Sequence, residues 1–331
     1  MTTLAPIRLD RNEGARPDAS LIAGLVGSPA LFREYPDEKP LEAALAARFS
    51  VDPGRVVVTN GADGALERAC RIRLRPGVEL LMTNPTFEMF PLFVGMTGAV
   101  PVAVPWLGKF PREQVIAGIS DATGVIALVS PNNPTGEAMT LEDVGAIAAA
   151  APDTLVIFDH VYGDYADEDL TLGALELPNV VVVRTFSKAW GLAGCRVGYA
   201  IAQPEVAMRM REAGPPYSVA GPSLALALAA LERGDATVRA HVALVREERE
   251  DLTRRLQMWG VDCPLSQGNF VFPSFGGRVS AVRDSLAEDG FIVRRFENPL
   301  ISGSLRISLP GDPAIYDQLV RALARALGGA R

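Results

Sequence analysis

Residues 154–188 read TLVIFDHVYGDYADEDLTLGALELPNVVVVRTFSK. Two apolar, β-branched runs bound the stretch, 154–159 and 179–185, and each is hydrophobic almost without interruption rather than in alternation. Continuous hydrophobicity is what a strand buried on both faces needs, so these runs read as strands of a mostly parallel sheet. Each ends in residues with chemistry to offer: Asp159, His160 and Tyr162 after the first, Ser187 and Lys188 after the second.

Working outward, the same pattern recurs in RVVVT (55–59), VELLMT (78–83), AVPVAV (99–104), GVIALVS (124–130) and RVGYAIA (196–202), seven runs in all. Helical segments fall between them, at 64–72 and at 141–150, the latter opened by Thr140 and Asp143 at capping-box spacing. The fold class is therefore α/β, a mostly parallel seven-stranded sheet with helical crossovers. From 220 to about 259 the spacing predicts one or two long amphipathic helices bridging to a second part. After Gly260 the order is β, α, β, β, α: strands in VDCP (261–264), NFVFPSF (269–275), FIVRRF (291–296) and SLRISL (304–309), with helices at 279–290 and 313–327. This is a smaller α+β unit. The domain division is 29–235 for the large domain, with 1–28 and 236–331 forming the small one.

The composition supports one sizeable buried core and excludes several partners. The chain has 331 residues, 48% hydrophobic and 21% charged, with a net charge of −7 and a pI near 5.1. An acidic balance argues against nucleic acid. The three cysteines, Cys70, Cys195 and Cys263, are odd in number and far apart, which suits a reducing cytoplasm rather than a disulfide framework. His160 and His241 stand in no metal-ligand spacing, so no metal is expected. No long apolar run suggests export or a membrane partner.

Parallel sheets bind ligands beyond the carboxyl ends of their strands, and the residues there make a coherent set. Asn60-Gly61-Ala62-Asp63-Gly64 is a turn that opens a helix, where backbone N–H groups could hold a phosphate. Pro131-Asn132-Asn133-Pro134-Thr135-Gly136 follows the 124–130 run, and Arg196 lies eight residues beyond Lys188. A lysine among small hydroxyl residues at one strand end, with a carboxylate at another, suits Schiff-base chemistry on a pyridine aldehyde.

The ordered runs SPNNPTG (130–136), DHVY (159–162), TFSKAWGLAGCRVG (185–198) and SLRIS (304–308) resemble the pyridoxal-phosphate-dependent class I/II aminotransferases of fold type I. YPD (35–37), NGAD (60–63) and NPTFEMF (84–90) are most similar to the histidinol-phosphate aminotransferase branch. The resemblance implies pyridoxal 5'-phosphate as cofactor, with Lys188 as the Schiff-base lysine that also shuttles the proton and Asp159 pairing with the ring nitrogen. It implies that Asn133 and Tyr162 donate to the ring's phenolic oxygen and that Phe87 stacks on the ring. Ala62, Asp63, Thr185, Ser187 and Arg196 would surround the phosphate, and Tyr35 would reach the phosphate of a neighbouring subunit, which makes a homodimer the expected assembly. Arg306 would bind the substrate carboxylate, Arg294 or Arg295 a substrate phosphate, and Asn12 would lie at the substrate site. His160 is expected beside the site without taking part, Cys195 in an apolar position, and Trp190 in the core.

The sequence departs from the branch in three places. Only eleven residues precede Asn12-Glu13, so a covering arm is expected to be short and the pocket open. The segment there reads NEGARP, and Gly64 follows Asp63 where the branch has an acidic pair. The resulting expectation is an aminotransferase moving an amino group from histidinol phosphate or an aromatic amino acid to a 2-oxo acid by ping-pong chemistry. An amino-acid-phosphate decarboxylase or a non-catalytic cofactor-binding protein are the alternatives.

Overall fold

The computed structural model describes residues 6–17, 19–26 and 28–328. Parts of the N-terminal and C-terminal segments assigned to the small domain, 1–5, 18, 27 and 329–331, lie outside the described residues. In chain order the strands are β1 (Ile7–Leu9), β2 (Val56–Asn60), β3 (Glu79–Asn84), β4 (Val100–Pro105), β5 (Thr123–Val129), β6 (Leu155–Asp159), β7 (Val180–Thr185), β8 (Val197–Ile201), β9 (Phe270–Val271), β10 (Phe291–Arg295) and β11 (Leu305–Ser308).

Seven strands form the large sheet in the order β2-β8-β7-β6-β5-β3-β4. All seven expected runs are in it. Only β8 runs against its neighbours, pairing antiparallel with both β2 and β7. Successive residues along the central strands feed two different clusters: Val156 and Phe158 pack into one, Leu155 and Ile157 into the other. That two-sided burial is the physical reason these strands carry no alternation. The edge strand β4 is mostly exposed and tolerates Pro101 and Pro105, where no inward ladder donor is needed.

The helix Leu141–Ala150 starts with a complete capping box, Thr140 accepting from the Asp143 N–H while Asp143 accepts from the Thr140 N–H. The long bridging segment is two helices, Gly221–Arg233 and Asp235–Met258, broken at Gly234.

The smaller sheet has the order β1-β10-β11-β9, with β1 parallel to β10 and the other pairs antiparallel. The strand expected at 261–264 is absent. Asp262 makes only an isolated bridge to Ser274, the Cys263 carbonyl is taken by the Gln257 amide, and Pro264 has no N–H to extend a ladder. The strand expected over 269–275 shrinks to β9, because Pro273 interrupts it. Helices Val279–Glu288 and Pro313–Ala326 complete this part.

The direction of pairing matters most for function. Because β8 is antiparallel to β2 and to β7, the carboxyl ends of β2, β6 and β7 share one edge, and β8 begins there.

Candidate active site

The shared edge faces the small sheet across a cavity of about 240 Å³. Asp159, the last residue of β6, lines it and is only 2% exposed. Its carboxyl accepts one long hydrogen bond, from the Val161 N–H at 3.3 Å. Burial pushes the carboxyl up to about 7, against the pull of that N–H and of Lys188, with Asp63 adding to the rise. A carboxyl so placed needs a proton or an N–H partner arriving from the cavity. Lys188, three residues beyond β7, is half-buried; its Nζ donates to the Arg11 carbonyl at 3.1 Å and lies 5.5 Å from the centre of the Tyr162 ring. No carboxylate among the described residues is within ion-pair distance of it.

On one side of the lysine is a cup. The helix Gly61–Arg71 begins directly after β2, and a Cβ at Gly198 on β8 would come within 2.4 Å of the Ala62 nitrogen. A residue without a side chain is what lets this helix start sit so low on the sheet edge. Arg196, in left-handed backbone conformation with φ 52, donates to Asp63 Oδ2 at 3.0 Å and to Ser187 Oγ at 3.4 Å. Thr185 Oγ1 accepts from the Ser187 N–H at 3.0 Å. Guanidinium, hydroxyls and a helix N-terminus converging on one spot make a site for a tetrahedral oxyanion.

On the other side is a second arginine. Arg306 on β11 is 7% exposed, donates to Asn133 Oδ1 at 2.5 Å and to the Asp10 carbonyl at 2.6 Å, and leaves Nε without a partner. It pairs with no carboxylate among the described residues, and burial lowers its pKa. A buried, incompletely satisfied guanidinium is a place for a carboxylate.

Residues 10–15 run as a strap across the mouth. Asn12, also left-handed at φ 55, donates its N–H to Ser308 Oγ at 3.0 Å, accepts the Ser308 hydroxyl at 2.6 Å and donates Nδ2 to the Tyr162 hydroxyl at 2.9 Å. Asn269 Nδ2 donates to the Asn12 carbonyl at 3.1 Å. A Cβ at Gly14 would lie 1.8 Å from the Lys188 carbonyl, so strap and lysine turn cross in direct backbone contact. Asp10, Arg11 and Asn12 of this strap all line the cavity.

This chemistry has counterparts among known proteins. The family model for aminotransferase class I and II matches residues 23–323. The chain belongs to the class I and II aminotransferases. Among its relatives, "Histidinol-phosphate aminotransferase 2" of Caulobacter vibrioides is 35% identical over 315 residues, covering 93% of this chain and 82% of the relative. An aromatic amino acid aminotransferase of Mycobacteroides abscessus is 34% identical over 298 residues, covering 88% of this chain and 86% of the relative. The crystal structure of histidinol-phosphate aminotransferase from Sinorhizobium meliloti in complex with pyridoxal-5'-phosphate superposes with a TM-score of 0.89 at 26% identity, covering 98% of this chain and 91% of that one.

In this aminotransferase the cavity brings together all the site residues expected from the sequence except Tyr35 and Arg295. Phe87 and Asn133 line it beside Asp159 and Tyr162. Tyr35 stands apart from the cavity of its own chain, 82% exposed and stacked on Tyr217 with ring centres 4.6 Å apart. Alternation along β10 separates the two candidate phosphate arginines: Arg294 lines the cavity, while Arg295 donates to Ser280 at 3.0 Å outside it. Asn12 is at the site, but both polar ends of its side chain are engaged within the protein. His160 points away, bonded to the Ser130 carbonyl and the Leu170 N–H and stacked on Phe158. Trp190 is in the core, and Cys195 packs against it. The sequence reading missed Asp10 and Arg11, which follow β1, and Glu88, four residues past β3. The strand-end rule, extended to β1 and β3, points to all three. Among the described residues no helix is long and apolar enough to cross a membrane, and no cluster of three or more metal-ligating side chains occurs.

Proposed function

We propose that this aminotransferase uses pyridoxal phosphate, and that its amino donor is histidinol phosphate or an aromatic amino acid, with a 2-oxo acid as acceptor. The observation that carries this reading is one cavity holding an amine, Lys188, with no carboxylate partner among the described residues, between the Arg196 cup and Arg306, above a buried carboxyl, Asp159. When bound, pyridoxal phosphate supplies a conjugated ring that takes up the electron pair released at the substrate Cα. The residues present fit it: Asp159 is a buried carboxyl short of a partner, and the cup suits a phosphate.

Arg196, Ser187, Thr185 and the N–H groups of Ala62 and Asp63 would hold the phosphate. Phe87 would lie against the ring face, and Asn133 and Tyr162 would donate to the phenolic oxygen. Asp159 would keep a proton at the ring nitrogen, where its stabilisation grows as charge develops. Lys188 Nζ moves the proton from the donor Cα, and Arg306 orients an amino-acid donor through its carboxylate, or histidinol phosphate, which has no carboxylate, through its phosphate. The strap keeps water from the mouth while Asn12 fixes the Tyr162 phenol. The relatives' names support both donor types. The pairing of Arg294 with Glu88 favours the aromatic amino acid, because a neutral ring asks for no free second cation.

We further propose that two copies pair, with Tyr35 reaching the neighbouring phosphate cup, that residues 29–235 form the large domain against 1–28 and 236–331, and that the enzyme works in the cytoplasm. Borohydride reduction of the holoprotein followed by peptide mapping should find the cofactor on Lys188. Donor turnover with histidinol phosphate, phenylalanine and phosphothreonine, scored by oxo-acid-dependent transfer, should rank one of the first two highest. An adduct on another lysine, or release of carbon dioxide in place of transfer, overturns the reading.

A further inference from the structure

Two guanidiniums face the cavity from the small sheet, and they are direct partners in the antiparallel register, Arg294 on β10 opposite Arg306 on β11. Partners across such a pair project to the same face a few ångströms apart. Both also lie over one ring, Phe296, at 5.6 and 5.7 Å. Their electrostatic circumstances differ. Arg306 is buried, has a free Nε and forms no ion pair with a carboxylate among the described residues. Arg294 is held by Glu88, NH2 to Oε2 at 2.9 Å, and Glu88 comes from the opposite wall, just before the helix Met89–Thr97. Asp10, which follows β1 on the small-sheet side, is paired with Arg8 at 2.6 Å.

We propose that Glu88 is a specificity-determining residue: by occupying Arg294 it withholds the second guanidinium of the small-sheet wall from a substrate phosphate, so the site favours donors whose anionic group is a carboxylate. This rests on the proposed aminotransferase reading. A carboxylate has two oxygens and one charge, which Arg306 alone satisfies as a bidentate pair. A phosphate has a further oxygen and nearly a second charge, and it reaches Arg294 only by displacing Glu88, whose own carboxylate repels it meanwhile. Both residues of the pair are about half exposed, with side-chain exposures of 47% and 59%. An exposed pair is exchangeable, so the effect is a bias in selection and not an absolute bar.

The test compares phenyl phosphate with benzoate, two ring-bearing anions, titrated calorimetrically into the holoenzyme, so the readout does not depend on turnover. Glu88→Gln should raise the affinity ratio of phenyl phosphate to benzoate by about tenfold or more, the scale of one charge-assisted hydrogen bond. The Glu88→Gln, Arg294→Met double variant should lose that gain. With substrates, Glu88→Gln should raise kcat/KM for histidinol phosphate relative to phenylalanine, chiefly through KM. An unchanged or lowered binding ratio in Glu88→Gln overturns the proposal, as does an equal rise in the double variant, which would make the effect one of general charge. Absence of turnover with every donor would instead count against the aminotransferase reading, leaving the binding ratio to decide the role of Glu88.

Discussion

Replacing Asn12 by alanine tests whether the strap is held by the bonds described above. Asn12 is 1% exposed, and its side chain accepts from Ser308 and donates to Tyr162, both of them buried. Loss of two such bonds costs about 0.5–1.5 kcal/mol each. Asn12 also sits at φ 55, a conformation that asparagine tolerates better than alanine, which adds about 1 kcal/mol. The total is about 2–4 kcal/mol against the docked strap, or roughly a 30- to 700-fold faster exchange of the Asn12 amide, which is protected by Ser308 Oγ. Asn12→Gly separates the two contributions, because glycine loses the bonds without the backbone penalty and should exchange about fivefold more slowly than alanine. Hydrogen exchange read by mass spectrometry on a peptide spanning 8–16 measures both. If neither variant speeds exchange threefold, the strap is anchored by something other than these bonds, and the backbone crossing at Gly14 becomes the main candidate.

Two further perturbations address the two ends of the cavity. Asp159 has its carboxyl pushed up to about 7 by burial, so in cofactor-free protein the folded state binds the extra proton between about pH 4 and pH 7, and stability falls as pH rises through that window. Asp159→Asn should abolish this part of the slope in urea midpoints taken from pH 4.5 to 8, and a wild-type curve parallel to that of the variant would show the carboxyl to be ionised throughout. Arg306→Lys keeps the charge but loses the planar fork, and should raise KM for a carboxylate donor by about 10- to 100-fold with a smaller change in kcat. An unchanged KM would mean that the buried guanidinium serves only Asn133 and the strap.

The large sheet was legible from sequence because its strands are buried on both faces, which leaves runs such as 180–183 apolar at every position. The strand-end residues were legible for a related reason: in a parallel sheet, chain direction alone assigns Asp159, Asn60 and Thr185 to one edge. The order of the family motifs then assigned chemistry to Lys188, Asp159 and Arg306. What the sequence could not supply is any relation between segments that are far apart in the chain and joined by few bonds. The 296-residue separation of Asn12 and Ser308 carries no local periodicity, and neither do the bond from Lys188 to the Arg11 carbonyl and the pair made by Glu88 and Arg294. The shortening of the strand at 269–275 and the loss of the one at 261–264 belong to the same class, since a strand exists only where a partner offers its ladder. Side-chain burial is written into the chain by hydrophobicity. The pairing of polar groups across the cavity depends on where both sheets come to rest, and only the tertiary structure decides that.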